Sequence, residues 1–125
     1  MRRLAPSAVL TALAIAGCTE PTSPVSDGVL NVRAQDSLLQ IENTSSAPVH
    51  RFIVERAYAA RINWAGCAGP ACPAIDAGAV VEIPYSLIAG YSSGAREAIV
   101  YWWRSVPDGA AGFRPDSIRA LVAPL

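Results

Sequence analysis

The chain predicts an all-β fold: a single two-sheet sandwich of about seven strands, with a small β-barrel as the competing architecture. Three observations lead there. Short runs rich in Val, Ile, Tyr and Trp are separated by clusters of turn residues, and no window of twelve or more residues keeps a helical apolar stripe. The turn clusters recur closely enough to fit those strands into about 100 residues. Composition agrees: 125 residues are one domain's worth of chain, and a 52% hydrophobic, 16% charged sequence is the reverse of a disordered one.

Taken in order, the chain opens on Met1-Arg2-Arg3, followed by an apolar stretch over 4–16 and the small residues Ala16-Gly17 before Cys18. That is the n-region, h-region and cleavage-site layout of an export signal, and the stretch is too short to span a bilayer. Residues 1–17 are therefore expected to be removed, taking Arg2 and Arg3 with them and leaving a mildly acidic chain. Residues 18–27 follow as a Pro/Ser/Thr-rich tether. The domain proper is expected over 28–125, with strands at 28–34, 38–43, 49–56, 60–65, 80–85, 97–105 and 117–122 and a helical turn around 86–91. Asn43-Thr44-Ser45-Ser46-Ala47-Pro48, Asp76-Ala77-Gly78 and Pro107-Asp108-Gly109 supply turns between them.

Two resemblances add to this reading. Ile15-Ala16-Gly17-Cys18 resembles the bacterial lipobox, with Ile where Leu is commoner. The resemblance implies diacylglycerol on the Cys18 thiol, cleavage just before it and acylation of the new amino group. The partner would then be a membrane, reached through lipid. A plain export signal with an incidental cysteine is the alternative. Thr19 resembles the residue that directs such lipoproteins to the outer membrane of Gram-negative cells. Over 28–125, strand number and the phrase Leu39-Gln40-Ile41-Glu42-Asn43-Thr44-Ser45-Ser46-Ala47-Pro48-Val49 resemble immunoglobulin-like and fibronectin-type modules, although the inter-sheet Cys and Trp spacing of antibody domains is missing.

Chemistry-bearing residues are few. Cys67 and Cys72 flank Ala68-Gly69-Pro70-Ala71, and Pro70 suits the second place of a type I turn over 69–72 that draws the two cysteines together. In an oxidising compartment such a pair forms a disulfide. A metal site would need further ligands, and a redox motif has two intervening residues rather than four. His50, the sole histidine, shares a strand face with Phe52 and Val54, and nothing near it in sequence supplies a nucleophile or an orienting group. Paired carboxylates, a phosphate loop and zinc spacing are all missing, so no enzyme and no cofactor are expected. Ten basic residues, all of them Arg, balance ten acidic ones without clustering, which argues against nucleic acid.

The unusual constellation is Ala98-Ile99-Val100-Tyr101-Trp102-Trp103-Arg104. Strand alternation puts Ala98, Val100 and Trp102 on one face and Ile99, Tyr101 and Trp103 on the other. With the first row in the core, the second is expected either to be covered, by the 105–114 loop, Phe113 or the tether, or to form an aromatic strip. Tyr101, Trp103 and Trp64 are the candidate binding residues of such a strip. The expected function is a lipid-anchored envelope module for protein–protein contact, with glycan or small-ligand binding through those aromatics as the alternative.

Overall fold

The computed structural model describes residues 23–110 and 112–125. The signal segment, Cys18 and Thr19 lie outside the described residues. Nine strands are found among the described ones: β1 (Val25–Ser26), β2 (Leu30–Gln35), β3 (Leu38–Asn43), β4 (His50–Glu55), β5 (Val80–Pro84), β6 (Glu97–Trp103), β7 (Ser105–Asp108), β8 (Gly112–Pro115) and β9 (Arg119–Pro124). One helical turn, α1 (Arg56–Ala59), follows β4, and a 3-10 turn at Tyr85–Leu87 follows β5.

The strands form two antiparallel sheets, ordered β1-β2-β3-β5 and β4-β6-β9, plus the separate β7-β8 ribbon. The chain crosses from β3 to β4, returns to place β5 beside β3, crosses again to place β6 beside β4, and ends with β9 against β6. This is the Greek-key logic of a sandwich, with neither sheet closed on itself. Alternating side chains fill the space between the sheets: Leu30, Val32 and Ala34 from β2, Leu39 and Ile41 from β3, Ile83 from β5, Ile53 from β4, Ala98, Val100 and Trp102 from β6 and Ala123 from β9. The period-2 pattern thus gives each sheet an apolar inner face, and burying those faces against each other is the main stabilising term.

The 105–114 segment, expected as a loop with a turn at Pro107-Asp108-Gly109, forms the β7-β8 ribbon, with Pro107 and Asp108 in β7, and three further local features stand out. The first sheet begins at Val25, which pairs with Val32, so the fold includes three residues assigned from sequence to the tether. Asp27 fixes this start: its carboxylate accepts hydrogen bonds from the backbone N–H of Val29 (2.9 Å) and Leu30 (2.8 Å) and from Trp102 Nε1 (2.7 Å). Partial burial pushes the Asp27 carboxyl up, but hydrogen bonds from Leu30, Val29 and Trp102 outweigh it and hold the group below its ordinary value. Next, 60–65 is not a strand. It belongs to irregular chain that begins with α1, whose first turn is capped by Glu55 accepting from Ala57 and Tyr58 N–H. Last, the β2–β3 connection is the two-residue turn Asp36-Ser37, both at positive φ (53° and 61°) without a glycine.

Candidate functional site

The β4-β6-β9 sheet carries a second layer of side chains on its outer face. Antiparallel register places His50 opposite Trp103, Phe52 opposite Tyr101 and Val54 opposite Ile99. Trp64, delivered by the irregular stretch after α1, lies over this row: its ring stacks on Phe52 at 4.6 Å and meets Tyr101 at 4.9 Å and Trp103 at 5.6 Å. Trp103 Nε1 donates to the Cys67 carbonyl at 2.8 Å. Gly66 lets the covering chain lie flat, since a methyl group there would meet Trp103 and Pro115 at about 3.1 Å.

The aromatic row is therefore covered. Trp103, expected on the outer face and there either covered or free to bind, is on that face and only 3% exposed, as deeply buried as Trp102. Tyr101 and Trp64 are half-buried. The cover comes chiefly from the crossover between β4 and β5, whereas the sequence pointed to 105–114 or the tether. Indoles are large enough that an adjacent irregular segment gains by packing on them, which is why the platform closes on itself.

Cys67 and Cys72 lie at disulfide distance, with Cα atoms 5.8 Å apart, and the Cys72 N–H donates to the Gly69 carbonyl at 3.2 Å, closing the turn around Pro70. The loop they close sits beside the His50 end of the sheet. There the structure assembles what the sequence keeps apart. His50 Nδ1 lies 2.9 Å from the Pro73 carbonyl and Nε2 lies 2.7 Å from Ser105 Oγ, a residue 55 positions away. A carbonyl can only accept, so Nδ1 carries a proton towards Pro73, and in the tautomer with Nε2 unprotonated the Ser105 hydroxyl donates to Nε2. The backbone N–H of Gly69 donates to the same Oγ at 2.8 Å. His50 is 8% exposed and Ser105 half-buried. Only the fold shows this grouping, because His50 and Ser105 are 55 positions apart in sequence.

A cleft of about 440 Å³ opens on this group. One wall is apolar, from Ala47, Pro48, Pro70, Ala74 and the half-exposed Phe113, and Arg104, His50, Ser105 and Asp76 contribute polar groups. Arg104 is held by a hydrogen bond to Ser45 Oγ (3.0 Å) and by its position over the Trp102 ring at 5.5 Å. Ser45 in turn bonds Asn43 Oδ1 at 2.7 Å, and the fully buried Asn43 amide donates to the Ala47 and Ile75 carbonyls. The floor of the cleft is thus tied into the core by a polar network, in which Arg104 Nε is buried without a hydrogen-bond partner among the described residues. Among the described residues no group of three or more His, Cys, Asp or Glu could hold a metal ion. No family model matches the chain, and no curated protein or solved structure matches it.

Proposed function

We propose that the chain is a lipid-anchored module of the bacterial cell envelope that binds a small amphiphilic ligand in the cleft between His50, Arg104 and Phe113. The anchor half rests on Ile15-Ala16-Gly17-Cys18 behind an Arg-headed apolar segment. The observation that carries the ligand half is the cleft itself. Its volume falls within the range of small-molecule sites, and its division into one apolar wall and a few convergent polar groups is the usual construction of such sites. Arg104 suits a carboxylate or carbonyl head, while Phe113 and the prolines suit a short apolar body.

Protein–protein contact, the first expectation from sequence, draws less support. The aromatic row is covered, and the outer edge of β4 is bridged at both ends, by Ile75 at Val49 and by Ala89 around Val54. Two experiments test the proposal. Labelled palmitate should enter the wild-type protein in a bacterial host and not Cys18→Ser, and the variant should leave the membrane fraction; an unlabelled, soluble wild type removes the anchor. Short-chain carboxylates from butyrate to octanoate should raise the melting temperature of the wild type and lose that effect in Arg104→Gln. At a hundredfold excess over Kd the stabilisation is about 2.7 kcal/mol. Equal shifts in both proteins, or none in either, would defeat the cleft reading.

A further inference from the structure

We propose that Ser105 is a nucleophile activated by His50, and that the cleft hydrolyses esters of short acyl chains. The inference rests on the ligand reading of the same cleft and adds a reaction to it. A hydroxyl becomes nucleophilic when a base lies within hydrogen-bond reach and a third group fixes the tautomer of that base. All three parts are present: Ser105 Oγ at 2.7 Å from His50 Nε2, and His50 Nδ1 at 2.9 Å from the Pro73 carbonyl. The carbonyl plays the orienting part that a carboxylate plays in the familiar triads. Gly69 N–H occupies one lone pair of Oγ and fixes its direction, leaving the other for attack. Both Ser105 and His50 line the cleft.

The step balances without a cofactor. Oγ attacks the acyl carbon of the ester as its proton passes to His50 Nε2, and the carbonyl π pair moves onto oxygen. Arg104, the permanent cation among the cleft residues, is the group available to offset that charge. Collapse breaks the bond to the alcohol, which leaves with the proton from Nε2. Water then attacks the acyl-Ser105 ester, giving its proton to Nε2; that proton returns to Oγ as the carboxylic acid departs. The net change is ester plus water to acid plus alcohol.

The test uses the purified full chain, an alkyl fluorophosphonate and 4-nitrophenyl butyrate. The expected results are a single phosphonyl adduct mapped to Ser105 by peptide mass spectrometry and ester turnover that the adduct abolishes. The mapping is made on the wild type and does not depend on any variant folding. His50→Gln should slow labelling by roughly a hundredfold or more while retaining the near-ultraviolet signal of the packed tryptophans. Ser105→Ala, checked by the same signal, should give no adduct. An adduct on Ser105 that butyrate does not protect supports the nucleophile and counts against the ligand reading. Butyrate binding with no adduct on Ser105, or labelling of other serines at the same rate, overturns the nucleophile and leaves the ligand reading standing.

Discussion

Replacing Trp103 by Ala should destabilise the protein as much as replacing Trp102. The indole is 3% exposed, lies against Trp64 and His50, and donates to the Cys67 carbonyl. Truncating a buried Trp to Ala costs about 3–5 kcal/mol, the spread reflecting how far the site collapses. Cover by irregular chain allows more collapse than a sheet interior, but the lost hydrogen bond leaves the Cys67 carbonyl without its partner, a further cost of about 1 kcal/mol. For a domain near 100 residues each kcal/mol lowers the melting temperature by about 4–8 °C, so a fall of at least about 12 °C is expected. Trp103→Phe, which keeps most of the area and loses the donor, should fall between this variant and the wild type. Thermal unfolding followed by circular dichroism, with the disulfide intact, makes the measurement. A Trp103→Ala protein melting within about 4 °C of the wild type would refute the covered-row argument and return the indole to the surface.

Three further outcomes are expected. Ser37→Gly should stabilise the protein by about 0.5–1 kcal/mol in urea unfolding, because glycine accepts the positive φ of 61° that costs a serine, whereas a loss there would mean that the side chain has work to do in the turn. Replacing both Cys67 and Cys72 by Ser should cost roughly 2 kcal/mol by the chain-entropy estimate for so small a loop, read as a shift in the urea midpoint, and an unchanged midpoint would mean that the loop is held by its packing alone. Acid unfolding should involve Asp27: its folded-state pKa is lowered, so its contribution is present above the unfolded value and fades as pH falls through the folded one. Melting curves between pH 6 and 2 should therefore show a shallower acid limb in Asp27→Asn, and parallel limbs would exclude the group.

The sandwich was legible because alternation is a local signal. Leu30, Val32, Leu39, Ile41, Val100 and Trp102 announce their core face by period 2 alone, and all six are buried. The same rule correctly separated Trp102 from Trp103. It could not say what lies over Trp103, since that depends on where a 24-residue crossover with no period of its own, 56–79, comes to rest. Trp64 looked like a strand residue because β-propensity describes a half-buried surface, and Trp64 occupies one outside any strand. The Cys67–Cys72 turn could be read because both ends and Pro70 are neighbours in sequence. The Ser105–His50–Pro73 grouping could not, because it is made by β6 ending two residues before a serine, next to a loop held in place by the packed indoles and by the Val49–Ile75 bridge.

Asp27 also sets the length of a leash. Pairing of Val25 with Val32 and the three hydrogen bonds to the Asp27 carboxylate fasten residues 25–27 to the first sheet and to Trp102. On the anchor proposed above, the span from Cys18 to Val25 would be seven residue steps, at most about 25 Å of chain, against about 35 Å for one ending at Gly28. A span that short would keep the sandwich near the headgroups and narrow the arc through which it could swing. The range of ligands and partners within reach would then be set by membrane geometry as much as by diffusion.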